Sequence, residues 1–168
     1  MRLVLQRVSR ASVTVDGETV SSIGRGICVL VGIAQDDQEK ADADVLAKKL
    51  LDIRMWPDGE KAWAKGVRDI GGEVLCVSQF TLHARLNKGT KPDFSRAMKT
   101  AQAREFYETF LAKLRSLYDP EKIKDGVFGA MMSVEIVNDG PVTLVIDSRK
   151  EGEQDRKPVG EGSAERSG

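Results

Sequence analysis

The run Ile27-Cys28-Val29-Leu30-Val31-Gly32-Ile33 carries no charge and is only strand-long, the mark of a central strand buried on both faces. Such a strand needs neighbours on either side and cover above and below. Residues 2–15 supply one neighbour, with Leu3, Leu5, Val13 and Val15 in alternation, and lead into Asp16-Gly17, a two-residue hairpin signal. A second strand follows from Glu18 to Ile23. Gly24-Arg25-Gly26 then turns the chain into the apolar run, and it lacks the further glycine spacing of a phosphate-binding turn.

Helices supply the cover. Asp36-Asp37-Gln38-Glu39 has the form of a helix start, with Asp36 as cap and Glu39 three residues later. This helix is expected to reach about Leu51, burying Val45, Leu46 and Leu50, with Asp42 and Asp44 on a solvated face. Asp52–Trp56 predicts a strand that ends at the Pro57-Asp58-Gly59 turn, and Glu73–Gln79 predicts another buried strand. From Thr100 to Tyr118, Phe106, Phe110, Leu114 and Leu117 recur at helical spacing, and Asp119-Pro120 stops the helix. Met131–Val137 and Val142–Asp147 predict two final strands parted by a loop, Asn138-Asp139-Gly140-Pro141. The expected class is α/β, a single compact domain of mainly antiparallel or mixed β-sheets packed with two main helices. The domain spans residues 1–148. Residues 149–168 hold one large aliphatic, Val159, and no aromatic, so they predict a disordered polar tail.

Composition narrows the chemistry. Lys+Arg and Asp+Glu each total 26, so any polyanion must be held by a local basic patch rather than by net charge. No apolar run is long enough to span a membrane, and Gln6, Arg7 and Arg10 interrupt any signal-peptide core, so the chain is expected to be cytoplasmic. Cys28 and Cys76 each lie in an apolar run and predict buried, reduced thiols. One histidine, His83, rules out a multi-histidine metal site, and no cofactor is expected. As the base of a serine triad His83 would lack any marked orienting acid, and its place at a strand end predicts a surface residue. An enzyme built from these residues works through backbone groups, hydroxyls and its substrate.

Local charge is more telling. Between His83 and Lys99 stand Arg85, Lys88, Lys91, Arg96 and Lys99 against Asp93 alone, in a stretch with Gly89, Pro92 and no apolar periodicity. Such a loop is either a holder of a phosphate backbone or a solvated loop with a chance bias.

The buried strand Val74-Leu75-Cys76-Val77 runs into Ser78-Gln79-Phe80-Thr81-Leu82, and Gly140-Pro141-Val142-Thr143 follows near the C-terminal end. These segments resemble the two signatures of D-aminoacyl-tRNA deacylases. The resemblance extends to Leu5-Gln6-Arg7-Val8-Ser9-Arg10-Ala11-Ser12-Val13, to Lys91-Pro92-Asp93-Phe94 and to Lys124-Asp125-Gly126-Val127-Phe128-Gly129-Ala130. It covers residues 1–147 in order.

The resemblance implies a homodimer with active sites at the subunit interface, acting on the 3′ end of aminoacyl-tRNA. It implies a cis Gly140-Pro141 peptide that enters the partner's pocket, held in orientation by Arg7. Carbonyls there would accept from the substrate ammonium and leave no room for an L side chain. Ser78, Gln79, Phe80 and Thr81 would form the opposite wall, with the N–H groups of Phe80 and Thr81 as oxyanion donors and the substrate's own ribose hydroxyl assisting water. Thr81 as nucleophile ranks lower, because no base is evident near it in sequence. Phe128 would lie near the terminal adenine and Met132 near the pocket, though both are equally suited to a core. Clearance of glycine mischarged on tRNA-Ala belongs to the same expectation. The alternatives are a nucleic-acid-binding or scaffold protein, and a related tRNA-editing deacylase for small L-amino acids with Gly140-Pro141 in trans.

Overall fold

The computed structural model describes residues 1–150; all but the first two residues of the tail expected at 149–168 lie outside them. The organising element is the first strand, β1 (Arg2–Val15). Asp16 and Gly17 both take positive φ, 49° and 79°, which is the primed turn that suits a twisted hairpin, and β2 (Glu18–Ile23) returns along the second half of β1. β3 (Gly26–Gly32) pairs antiparallel with the first half, from Arg2↔Gly32 to Val8↔Gly26. On its other edge β1 pairs with the last strand, β8 (Ser133–Asp147).

Beyond β3 the sheet turns parallel. β6 (Glu73–Ser78) runs beside β3 and β7 (Ile123–Asp125) beside β6, giving a mixed six-stranded sheet in the order β2-β1-β3-β6-β7 with β8 on β1. β4 (Trp56–Asp58) and β5 (Lys61–Lys65) form a separate hairpin. The helices α1 (Asp44–Asp52) and α2 (Thr100–Leu117) cover one face, placing Leu46, Leu50, Phe106, Phe110 and Leu114 on Leu3, Leu5, Val29 and Val31. Each such side chain contributes about 1.5–3 kcal/mol by leaving water. A second cluster on the other face gathers Val8, Ala11, Val13, Cys28, Leu75 and Val77.

Register decides the fate of the two thiols. Val29 is paired with Cys76 and Cys28 with Leu75, so the sulfurs point to opposite faces of the sheet. Both are free and buried, and burial pushes the Cys28 thiol up to about 11.

The approach to α1 departs from expectation. Gln38, not Asp36, is the cap, and a π-helical turn, Glu39–Ala43, precedes the α-helix. The extra residue of that turn rotates the following face, so Val45 is exposed while Leu46 and Leu50 are buried. Asp42 is wholly buried rather than solvated, accepting from Gln38 N at 2.7 Å and from Ser148 Oγ at 2.5 Å. Asp37 is buried too, and accepts from Ala34 N at 2.7 Å and from the Met1 ammonium at 2.5 Å. Asp36 pairs with Arg149. A buried carboxylate is tolerable only with such partners.

The two expected final strands are one, interrupted by a bulge. The strand expected at Asp52–Trp56 begins only at Trp56, and β5 and β7 had no distinct signal. Among the described residues no helix is long and apolar enough to cross a membrane.

Candidate active site

Two segments, one mid-chain and one in the last strand, carry the unusual geometry. The first begins where β6 stops. Gln79 N donates to Val31 O at 2.8 Å, which keeps the chain beside β3 for one more residue. A 3₁₀ turn, Phe80–His83, follows, and its first bond runs from Leu82 N to Gln79 O at 3.3 Å. The N–H groups of Phe80 and Thr81 stand ahead of that bond and have no acceptor within the turn.

The turn lies flat on β3 because residue 32 is glycine. A Cβ there would sit 2.8 Å from Leu82 Cβ and 3.3 Å from Gln79 O and His83 Cδ2. Arg2 Nη1 pins the far side by donating to Leu82 O at 3.0 Å. His83 is therefore not the surface residue expected. It is half-buried against β3, its Nε2 has no hydrogen-bond partner, and burial lowers its pKa. Thr81 Oγ accepts from Gln79 Nε2 at 2.5 Å. An amide donor orients the hydroxyl and withdraws no proton from it. Phe80 is 57% exposed and meets Phe94 edge to face, with ring centroids 5.1 Å apart.

The second segment is the bulge of β8. Val8 pairs with Asn138 and Gln6 with Thr143, so residues 139–142 face Arg7 alone. The Gly140–Pro141 peptide within it is cis. Gly140 takes φ +121°, and a Cβ there would sit 3.1 Å from Arg7 Nη2 and from Val142 N. Arg7 holds the bulge from beneath. Its Nε donates to Asp139 O at 3.1 Å and lies 3.3 Å from the Asp139 carboxylate, while Nη1 donates to Met55 O at 2.6 Å.

Phe128 and Met132 lie apart from each other. Phe128 packs on the helix-side core, tilted against Tyr107 at 5.6 Å with the Arg104 guanidinium 4.8 Å over its ring. Met132 packs on the other core, close against Gly126. Within one chain the two main segments also stay apart. Arg7 pairs with Ile27 and Gln79 bonds to Val31, positions about 13 Å apart along β3 at the usual strand rise. Among the described residues no hydrogen bond or ion pair joins the two segments.

An open groove of about 520 Å³ lies elsewhere, lined by Ser22, Arg115, Lys124 and Asp125 among others, and holds none of these residues. Among the described residues no three His, Cys, Asp or Glu come together in a set able to hold a metal ion.

Sequence reasoning gave no site role to Gly32, Phe94, Arg104 or the Met55 carbonyl. Gly32 had a signal, as the one glycine inside the apolar run, where a backbone approaches closely. Met55 had none, since any residue offers a carbonyl.

The chain is similar to known proteins along most of its length. The family model for D-Tyr-tRNA(Tyr) deacylase matches residues 4–147. A D-aminoacyl-tRNA deacylase of Drosophila melanogaster is 53% identical over 157 residues, 94% of this chain and 98% of the relative. A solved structure named "c-Myc DNA Unwinding Element Binding Protein" superposes with TM-score 0.85 at 54% identity, covering 89% of this chain and 100% of that one. Another, described as a probable eukaryotic D-amino acid tRNA deacylase, shares the fold at TM-score 0.74 and 17% identity, covering 87% and 98%.

Proposed function

The chain belongs to the D-Tyr-tRNA(Tyr) deacylase family, and on that footing we propose that it hydrolyses the ester between a D-amino acid and tRNA. The observation that carries the reading is the clamp of Arg7 on Asp139, which fixes an exposed, glycine-containing bulge in one orientation. Carbonyls held that rigidly accept from a substrate ammonium and crowd the L position, so chirality is filtered by exclusion. Glycine, which has no side chain on either face, passes the same filter, and glycine mischarged on tRNA-Ala is a second substrate.

Ser78, Gln79, Phe80 and Thr81 form the reacting wall. The leading N–H groups of Phe80 and Thr81 stabilise the oxyanion, a contribution of a few kcal/mol. Gln79 orients the Thr81 hydroxyl, and the vicinal ribose hydroxyl of the substrate positions the attacking water. Phe128 bounds the adenine and Met132 the pocket.

The wall and the gate meet across a homodimer. What supports this is their separation within one chain and the long edge of β8, whose outer side has no strand partner among the described residues. Pro141 and Val145 are exposed along that strand. Long unprotected edges of this kind are usually covered. The protein acts in the cytoplasm, where its substrate is made.

Release of D-tyrosine from D-Tyr-tRNA, measured beside L-Tyr-tRNA, tests the reading. Hydrolysis of the D form alone is expected; equal cleavage of both, or of neither, defeats it. A second reading, nucleic-acid binding without chemistry, is favoured by the basic stretch from Arg85 to Lys99 and by the name of a 54%-identical relative, a DNA-unwinding-element binding protein. It predicts DNA binding by a protein that leaves D-Tyr-tRNA intact.

A further inference from the structure

The basic stretch after the 3₁₀ turn is a built element. Arg85 and Asp93 exchange both backbone hydrogen bonds at 2.9 Å, closing residues 85–93 into a small hairpin. Its base is fixed to the segment just past β3: Gln35 N donates to Arg96 O at 2.9 Å, Met98 N donates to Ile33 O at 3.0 Å, and Ala34 bridges Ala97. These anchors follow Gly32 directly, so the hairpin stands beside the turn that presents Phe80 and Thr81. Residues 86–95 are all exposed, and Lys88 and Lys91 flank Gly89 at the tip, where φ is +68°.

Three exposed apolar side chains stand at the same place. Phe80 is 57% exposed, Phe94 37% and Leu86 65%. The two aromatic rings are held edge to face at 5.1 Å, and both remain partly open to solvent. Water is a poor partner for that surface, and a protein core does not cover it. Aromatic faces interleaved with cations suit a single-stranded nucleic acid, whose bases stack while its phosphates pair with lysine. The only acidic side chain in the hairpin, Asp93, is turned inward on itself, accepting from Ser95 N at 3.0 Å and Ser95 Oγ at 2.8 Å.

We propose that the Phe80–Phe94 pair and the 85–93 hairpin bind the single-stranded RNA nucleotides that precede the aminoacylated terminal nucleotide. The inference rests on the deacylase reading and adds to it a second contact zone, outside the reacting wall. Phe80 belongs to both, so the RNA strand leads continuously from the hairpin to the ester. Stacking is indifferent to base identity, and the lysines read only phosphate, so this zone gives affinity for any tRNA rather than a choice among them.

Two substrates separate this zone from the reacting wall. One is D-Tyr-tRNA; the other is D-tyrosyl-adenosine, which carries the ester and the last nucleoside but no preceding nucleotide. The variants are Phe94→Ala and the double variant Lys88→Ala/Lys91→Ala, whose exposed tip positions put no packing at risk. On D-Tyr-tRNA, Phe94→Ala is expected to lower kcat/KM about tenfold, as loss of one stacked base does. The double lysine variant is expected to flatten the dependence of log kcat/KM on log salt by about 1.4, from two phosphate contacts. On D-tyrosyl-adenosine both variants are expected to match the parent.

Equal losses on both substrates overturn the inference, because the residues then act at the ester. Undiminished activity on D-Tyr-tRNA overturns it as well, as does a change in oligomeric state on Phe94→Ala, which makes the patch a subunit contact. If the parent protein cleaves D-tyrosyl-adenosine as efficiently as D-Tyr-tRNA, the zone is overturned while the deacylase reading stands. If it cleaves neither, both fall.

Discussion

Arg7 Nε donates to the Asp139 carbonyl at 3.1 Å, across a gap of 132 residues in sequence. The same guanidinium reaches Met55 O at 2.6 Å, so one planar fork ties β1, the bulge of β8 and the residue just before β4. A lysine ammonium keeps the charge but not the fork. A hydrogen bond from a charged donor is worth about 1.5–3 kcal/mol. Arg7→Lys is therefore expected to lower kcat/KM on D-Tyr-tRNA by roughly 10- to 100-fold. Steady-state kinetics beside a thermal melt check this; parental kinetics for Arg7→Lys would mean the clamp is dispensable.

Gly140 sits at φ +121°, with Arg7 Nη2 and Val142 N each 3.1 Å from where a Cβ would fall. Gly140→Ala must shift the bulge or the guanidinium, at a cost of about 1–3 kcal/mol. The expected outcome is a narrower ratio of D-Tyr-tRNA to L-Tyr-tRNA hydrolysis. An unchanged ratio would remove the bulge from chiral selection.

Thr81 Oγ is met by an amide donor at 2.5 Å rather than by a base. Thr81→Ala is expected to keep hydrolysis within about tenfold of the parent, a loss below about 1.4 kcal/mol. Single-turnover rates decide the point. Abolished turnover in a folded Thr81→Ala protein would restore the hydroxyl as nucleophile.

Gly32 lets the 3₁₀ turn rest on β3, since an added Cβ would meet Leu82 Cβ at 2.8 Å. Overpacking of this kind costs about 1–3 kcal/mol. Because the displaced atoms belong to the proposed reacting wall, Gly32→Ala is expected to lower kcat more than its thermal midpoint suggests. A fall in stability with parental kcat would show that the turn tolerates the shift.

The thiols give a pH signature. Burial holds Cys28 up at about 11, and Cys76 is raised further, by desolvation first and by the neighbouring Cys28 second. In the unfolded chain a thiol titrates near its ordinary value of 9.0. The unfolded state thus loses protons first, and this contribution to stability, complete below about pH 9, is lost as pH rises toward about 11. Native protein at pH 8 is expected to resist alkylation and to react at two thiols after denaturation. Rapid labelling of the native protein would contradict the burial.

Much of the sheet was legible because its signals are local. The run Ile27–Ile33 and the pair Asp16-Gly17 each say by themselves what they become. α2 was equally plain, since Phe106, Phe110 and Leu114 share one face. What failed was set at a distance. Asp42 looks like a solvated helix residue until Ser148, 106 positions on, donates to it. The break at Asn138–Pro141 looked like a loop between two strands because nothing local says that β1 continues past it on both sides. At the site, the signatures located the turn and the bulge through resemblance. The residues that shape them, Gly32 and Met55, act by being small and by offering a carbonyl, and neither property has a chemical label in sequence. The tail expected at 149–168 is mostly beyond the described residues, although its first residue, Arg149, is anchored on Asp36.

The pairing of the first strand with the last has a meaning in time. A chain emerging from the ribosome presents Arg7 early, but its partner Asp139 follows 132 residues later. Contacts of such separation form late, after the loop between them has been closed. The proposed chiral gate therefore cannot exist in a chain that stops short of Asn138. Arg7 and Met55 are in place long before the bulge they hold, so a chain truncated ahead of Asn138 would carry the Phe80–His83 turn without the proposed gate.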